Sequence, residues 1–113
     1  MREIRGCGTA LITPFDDNYE VDWGSFGSLV MRQFDAGIDF LVPLGTTGET
    51  PCLEEYEKEK LLATVMELND GKVPVVAGAG SNSTRKVISY ISALSKYSPD
   101  AFLVVVPYYN KPT

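Results

Sequence analysis

The sequence predicts an α/β fold built on a parallel sheet, and two observations support this. Four short apolar runs, at residues 6–13, 38–44, 73–77 and 101–106, alternate with three segments of helical periodicity. The runs are largely apolar instead of alternating with polar residues, which is typical of parallel strands covered on both faces. Strands separated by single helices pair in parallel through right-handed crossovers. The predicted order is therefore β-α-β-α-β-α-β.

The three helices are predicted at residues 23–36, 53–69 and 85–97. Asp22 is placed to cap the first, and Gly37 follows it where glycine commonly ends a helix. Apolar side chains recur at helical spacing and are predicted to face inward. They are Phe26, Leu29, Val30 and Phe34 in the first helix, Leu53, Tyr56, Leu61, Leu62, Val65 and Met66 in the second, and Val87, Ile88, Ile91 and Leu94 in the third.

The charged side chains of the second helix are predicted to form its solvent face. No lysine of the chain lies in an apolar strand, where burial would lower its pKa, so we expect every lysine ammonium to be solvated. The solvent face comprises Glu54, Glu55, Glu57, Lys58, Glu59 and Lys60, and the remaining lysines are Lys72, Lys86, Lys96 and Lys111.

Two architectures fit this order of elements. One is a small open, doubly wound sheet, and the other is the first half of a (β/α)8 barrel. The 113 residues suffice for one small domain, whereas a complete barrel typically has about 250 residues. Composition does not distinguish the two architectures, so the motifs must.

The composition excludes several classes of function. The net charge is −5 and no basic cluster occurs, so we expect no nucleic-acid binding, because phosphate contacts need clustered lysine and arginine. No apolar run approaches the roughly 18–20 residues of a membrane span, and the N-terminus lacks the apolar core of a signal peptide. We therefore expect a cytoplasmic protein with Cys7 and Cys52 as reduced thiols. The absence of histidine removes the commonest metal ligand, and we expect no metal site.

Two glycine-rich turns follow predicted strands. Residues 78–83 (Gly-Ala-Gly-Ser-Asn-Ser) resemble a dinucleotide-binding fingerprint, but Ser83 stands where its third glycine is required, and the strand is the third instead of the first. We interpret Gly78 and Gly80 as sites of tight turning and close backbone packing. Residues 45–49 (Gly-Thr-Thr-Gly-Glu) place two hydroxyls and free backbone N–H groups near a helix start, which suits a small anion such as a carboxylate. A plain loop with threonine capping explains these residues equally well.

Two adjacent tyrosines, Tyr108 and Tyr109, follow the fourth predicted strand within residues 106–112 (Val-Pro-Tyr-Tyr-Asn-Lys-Pro). Taken alone, such a pair is more often a packing or interface feature than a catalytic one. Here it occurs together with the Gly-Thr-Thr-Gly-Glu turn and with residues 9–15 (Thr-Ala-Leu-Ile-Thr-Pro-Phe). This combination resembles the N-terminal half of the dihydrodipicolinate synthase family, pyruvate-dependent class I aldolases related to N-acetylneuraminate lyase. The paired threonines and the Tyr-Tyr-Asn sequence are more similar to the synthase branch than to the lyase branch.

The resemblance covers essentially the whole chain and implies both a fold and site residues. The implied fold is a (β/α)8 barrel in homo-oligomers, tight dimers or tetramers, with residues 1–113 as a single incomplete domain. Thr46 matches a threonine of a proton relay that also contacts substrate, and Thr47 matches a residue that binds the pyruvate carboxylate. Tyr109 matches the tyrosine that crosses the dimer interface to complete the neighbour's relay, and Tyr108 matches an interface tyrosine.

The implied reaction is a condensation of pyruvate with aspartate semialdehyde through a Schiff base, in lysine and diaminopimelate biosynthesis, without metal or cofactor. A class I aldolase uses a lysine amine as nucleophile, and in the family this lysine lies on the sixth strand, which we expect outside this chain. We therefore expect residues 1–113 to be inactive by themselves. Two alternatives remain open: another pyruvate-dependent lyase, acting on sialic acid or a 2-oxo sugar acid, and a catalytically inactive half-barrel scaffold. The intact Thr46, Thr47 and Tyr109 favour an enzyme.

Overall fold

The computed structural model describes residues 2–111, and its strands and α-helices follow the predicted order. The strands are shorter than the apolar runs that predict them, because the sheet continues beyond their ends only through single hydrogen bonds such as that from the Leu11 N–H to the Val42 carbonyl (3.0 Å). The elements are β1 (Gly8–Ala10), α1 (Trp23–Asp35), β2 (Phe40–Val42), α2 (Glu55–Asn69), β3 (Val76–Gly78), α3 (Thr84–Leu94) and β4 (Ala101–Leu103).

The strands lie side by side in chain order. β1 pairs in parallel with β2, and β3 pairs in parallel with β4. An isolated parallel bridge between Leu41 and Val75 joins the two pairs. The Gly78 N–H also donates to the Pro43 carbonyl at 2.9 Å. A doubly wound sheet reverses its strand order at a switch point, whereas consecutive neighbours are the arrangement of a barrel segment.

Helix ends follow the predicted signals. The Asp22 carboxylate accepts from the Ser25 N–H at 3.0 Å, which lowers the pKa of Asp22. Gly37 adopts a left-handed φ of +78°, as expected of the residue after a helix. Between the helices and the sheet lies one core, in which Leu41, Leu62 and Val75 are inaccessible to solvent. None of the helices in residues 2–111 has the length and apolar character needed to cross a membrane.

The predicted faces of α2 and α3 are wrong at four positions. Tyr56 and Ile88, expected inside, are exposed, whereas Glu57 and Lys58, expected in solvent, are buried. Glu57 turns back because its carboxylate accepts from the Glu54 N–H at 2.8 Å in a capping box. Charged side chains therefore occupy the inner face of the first turn of α2, and its apolar stripe begins one turn later, at Leu61.

The buried lysine of α2 packs on an aromatic ring. The Lys58 ammonium lies 4.0 Å from the centroid of the Tyr90 ring on α3, and the residue is only 9% exposed. Lys60 covers Trp23 in the same way, at 4.1 Å. Cation–π contacts and the burial of methylene stems explain this placement. The expectation that every lysine is solvated is thus wrong for Lys58.

One carboxylate connects α2 to the 3₁₀ helix Ser95–Tyr97 that follows α3. Glu59 Oε1 accepts from Lys96 Nζ at 2.7 Å and from the Tyr97 hydroxyl at 3.0 Å. The hydrogen bond from Lys96, and then that from Tyr97, lowers the pKa of Glu59, and the same carboxylate raises the pKa of Lys96. These contacts hold α3 against α2.

Replacing Glu59 by glutamine should lower stability in a pH-dependent way. A lowered carboxyl pKa contributes stability above the ordinary value of 4.5, and this contribution is lost as the pH falls through the lowered pKa. The urea midpoint of E59Q should therefore lie below that of the wild type at neutral pH, and the difference should narrow as the pH falls below 4.5. E67Q, which changes an exposed carboxylate on the same helix, is the control. A difference that does not change with pH would contradict the role given to the Glu59 charge.

The end of β4 is uncovered. Four consecutive residues, Leu103, Val104, Val105 and Val106, are all exposed, and Val106 is 80% exposed. Because successive side chains of an extended strand point to opposite faces, both faces of this segment are only partly covered within residues 2–111. Apolar surface of this kind favours association.

We expect the 113-residue chain to associate in solution through this segment. Light scattering after size-exclusion chromatography should give a mass above that of one chain. V106K should shift the distribution towards single chains, whereas I88K, which changes an exposed isoleucine on α3, should not. A wild-type chain that stays monomeric at every concentration would contradict this expectation.

Candidate active site

The turn after β2 has an unusual backbone conformation. Leu44 adopts a left-handed φ of +63°, and Glu49 one of +57°, conformations that are costly for residues other than glycine. Between them lies the short 3₁₀ helix Thr46–Gly48. The Gly48 N–H donates to the Gly45 carbonyl and the Glu49 N–H to the Thr46 carbonyl, both at 3.0 Å. The turn therefore folds back on itself and leaves Thr46 and Thr47 exposed at the carboxyl end of β2.

The buried hydroxyl of Thr50 contacts the backbone at the start of this turn. Thr50 Oγ1 lies 2.7 Å from the Leu44 carbonyl oxygen and 2.7 Å from the Gly45 carbonyl oxygen. Thr50 begins a second 3₁₀ helix, Thr50–Cys52, and is only 9% exposed. Its hydroxyl thus contacts the carbonyls of both residues that precede Thr46.

Gly78 of β3 packs closely against the peptide between Leu44 and Gly45. A Cβ at Gly78 would overlap with the Leu44 carbonyl oxygen and lie 2.8 Å from the Gly45 nitrogen. Gly80 is similarly close to the segment that follows β4, since its Cβ would lie 2.6 Å from Val105 Cγ1. The interpretation of both glycines as sites of close packing is confirmed.

A cleft opens above these contacts at the carboxyl ends of β2, β3 and β4, the end of a parallel barrel at which ligands bind. Its volume is about 60 Å³, whereas sites for drug-sized ligands typically enclose about 300–1,000 Å³. The described residues therefore form a site for a molecule of a few heavy atoms or one wall of a larger site. The lining residues are Leu44, Gly45, Thr46, Thr50, Pro51, Gly78, Gly80, Leu103, Val105 and Tyr108.

The structure brings together some of the predicted site residues and separates others. Thr46 and Tyr108 line the cleft, whereas Thr47 and Tyr109 do not. Tyr109 is fully exposed, has a left-handed φ of +67° and meets Tyr108 edge to face, with ring centroids 6.4 Å apart. Within residues 2–111 no hydrogen bond joins the threonine hydroxyls to either tyrosine. The roles assigned to Thr46, Thr47, Tyr108 and Tyr109 stay predictions.

Sequence reasoning missed Thr50 as part of the site. Its sequence signal is weak, a threonine before Pro51 that reads as an ordinary loop residue. Gly78 was read correctly as a packing glycine, but its partner, the peptide after Leu44, follows only from the three-dimensional structure. None of the lysines of the described part lines the cleft, and residues 2–111 contain no group of three His, Cys, Asp or Glu side chains suited to a metal ion.

Comparison with known proteins decides the family. The profile of the dihydrodipicolinate synthetase family matches residues 3–113. The chain belongs to this family. It is 49% identical over 110 residues to the 4-hydroxy-tetrahydrodipicolinate synthase of Thermotoga maritima, covering 97% of this chain and 37% of that protein. The enzyme of the same name from Porphyromonas gingivalis is 49% identical over 111 residues, covering 98% of this chain and 37% of the relative.

Solved structures of the family share the fold. Dihydrodipicolinate synthase from Thermotoga maritima matches with a TM-score of 0.92 and 47% identity, over 97% of this chain and 37% of that one. The Acinetobacter baumannii enzyme, in complex with pyruvate, matches with a TM-score of 0.94 and 37% identity, over 98% of this chain and 38% of that one. The expected fold, part of a parallel (β/α)8 barrel, is confirmed. The chain spans about 37% of the length of the curated relatives it matches.

The close approach of β3 to the turn predicts the effect of adding one methyl group. G78A should destabilise the chain by about 1–3 kcal/mol, as overpacking generally does, because the Leu44–Gly45 peptide has to move. The control is G27A, in the interior of α1, where the nearest atom to a new Cβ is Leu68 Cδ1 at 3.9 Å. This change should be stabilising by roughly 0.5–1 kcal/mol, the helical preference of alanine over glycine. Urea unfolding measures both, and a neutral G78A would contradict the geometry.

Proposed function

We propose that the chain forms the first part of a pyruvate-dependent class I aldolase, in which the Gly-Thr-Thr-Gly-Glu turn binds the carboxylate of pyruvate. The observation that carries the proposal is the placement of Thr46. The turn that carries the Thr46 hydroxyl contacts Thr50 and Gly78 through the backbone of Leu44 and Gly45. It borders a cleft at the carboxyl ends of three parallel strands. The pyruvate complex of the Acinetobacter baumannii relative supports the choice of ligand.

The two threonines have different roles in this proposal. Thr47 is exposed next to Thr46 on the same turn, outside the lining of the cleft, and its hydroxyl donates a hydrogen bond to the pyruvate carboxylate. Thr46 lines the cleft together with Tyr108, so its hydroxyl also reaches substrate and serves as one link of a proton relay. A hydroxyl both donates and accepts hydrogen bonds, and a chain of hydroxyls therefore passes protons in either direction without holding charge.

The nucleophile comes from outside residues 1–113. A lysine amine attacks the ketone carbon of pyruvate, water leaves, and the protonated imine then accepts the electron pair released when a proton leaves the methyl group. The resulting enamine attacks the aldehyde carbon of aspartate semialdehyde. The name 4-hydroxy-tetrahydrodipicolinate synthase, carried by the relatives from Thermotoga maritima and Porphyromonas gingivalis, supports this second substrate.

The exposed Tyr109 belongs to a second copy of the site. Its ring is fully exposed on a left-handed backbone, and within residues 2–111 it contributes nothing to its own cleft. A homo-oligomer in which Tyr109 reaches the neighbouring cleft would complete the relay there and cover the ring. We propose this assembly for the full-length protein.

Borohydride trapping tests the proposal. The full-length protein that carries residues 1–113 is incubated with pyruvate and borohydride, and the intact mass is measured. We expect a gain of about 72 Da, the mass of one reduced pyruvyl imine, and no gain for residues 1–113 alone. T47V should slow adduct formation at least about tenfold by removing a carboxylate contact, whereas T84V, which changes an exposed threonine at the start of α3, should not.

Three outcomes would contradict the proposal in different ways. An adduct on residues 1–113 would place the nucleophile within this chain. The absence of any adduct on the full-length protein would favour the inactive scaffold. Cleavage of N-acetylneuraminate, without consumption of aspartate semialdehyde, would retain pyruvate chemistry and overturn the second substrate.

A further inference from the structure

We infer that Thr50 is a positioning residue for the site. Its hydroxyl fixes the orientation of the Leu44–Gly45 peptide and thereby the position of Thr46. The inference deepens the proposed function and rests on it for the consequence in catalysis. The effect on the orientation of the Leu44–Gly45 peptide rests on geometry alone.

The hydroxyl of Thr50 satisfies a carbonyl that has no other hydrogen-bond partner among residues 2–111. The Leu44 carbonyl accepts no backbone hydrogen bond within residues 2–111, whereas the Gly45 carbonyl also accepts from the Gly48 N–H. A hydroxyl has one proton to donate, and both carbonyls lie 2.7 Å away. Because Thr50 is 9% exposed, water has little access to replace it. Removal of the hydroxyl would leave a buried carbonyl unpaired, which is unfavourable.

The backbone at Leu44 needs this restraint. A leucine at φ +63° is in a conformation that persists only where surrounding contacts determine it. Gly78 closes one side of the peptide, since a Cβ there would overlap with the Leu44 carbonyl oxygen. The Thr50 hydroxyl adds an attractive contact to the Leu44 carbonyl oxygen. Without that attraction, the peptide is free to rotate its carbonyl towards solvent and to carry Gly45 with it.

Such a rotation would reach the site directly. Thr46 follows Gly45 and begins the 3₁₀ helix that presents both threonine hydroxyls. A displacement of about 1 Å in a reacting group can lower a rate by as much as about 100-fold. Thr50 does not need to touch substrate for this effect, although it is one of the residues that line the cleft.

The experiment compares three variants of the full-length protein. T50V removes the hydroxyl and keeps the shape, T50S keeps the hydroxyl, and T64V is the matched control. Thr64 Oγ1 donates to the Lys60 carbonyl, also at 2.7 Å, on α2 away from the site. We expect T50V to lower the rate of pyruvyl-adduct formation by about 10- to 100-fold, mainly by lowering the maximal rate at saturating pyruvate. T50S and T64V should stay within about twofold of the wild type, since neither moves a reacting group.

A second measurement does not depend on activity. In the ¹⁵N-labelled full-length protein, T50V should shift the amide resonances of Thr46, Thr47 and Gly48 and leave those of α1 unchanged, and T50S should restore them. Unchanged amide resonances in T50V, or a T50S variant as slow as T50V, would overturn the inference. Loss of the adduct in the wild type would overturn the proposed function, and the amide resonances would then decide the positioning role by themselves.

Discussion

The peptide between Leu44 and Gly45 is the point on which the arrangement of the site depends. The Thr50 hydroxyl contacts its carbonyl oxygen, and the bare Cα of Gly78 packs closely against the same oxygen. The first contact stabilises a left-handed leucine, and the second brings β3 close enough for the Gly78 N–H to bond to the Pro43 carbonyl. The same few atoms therefore connect β2 to β3 and set the direction in which the following threonines leave the sheet.

The parallel arrangement of the strands places this constrained turn next to the other residues of the site. All four strands end at the same edge, so the turn after β2 meets the segment after β4, and Thr46 comes to line one cleft with Tyr108. The core and the helices supply rigidity beneath the cleft, with Glu59 joining α2 to the end of α3. Leu44, Glu49 and Tyr109, in the segments around the cleft, have a left-handed backbone, as do Tyr19, Asp70 and Ser98 elsewhere in the described chain.

Much of this could be predicted from local sequence, because the order of elements and the helix caps depend on neighbours in the chain. Asp22 and Gly37 are examples. The errors involve contacts between distant residues. Lys58 is buried because Tyr90 of another helix provides a ring for it, and Thr50 matters because the backbone turns towards it. The threonine and tyrosine motifs indicated the family, but the left-handed backbone on which the Tyr109 ring is exposed follows only from the structure.

A crystal structure of the full-length protein, reduced with borohydride in the presence of pyruvate, would test the central claim most directly. The claim is that the Gly-Thr-Thr-Gly-Glu turn binds the pyruvate carboxylate. We predict that the carboxylate of the trapped adduct lies within about 3 Å of the Thr46 or Thr47 hydroxyl, the length of a hydrogen bond, with the Thr50 hydroxyl still on the Leu44 and Gly45 carbonyls. A carboxylate bound elsewhere in the barrel, with this turn empty, would contradict the claim.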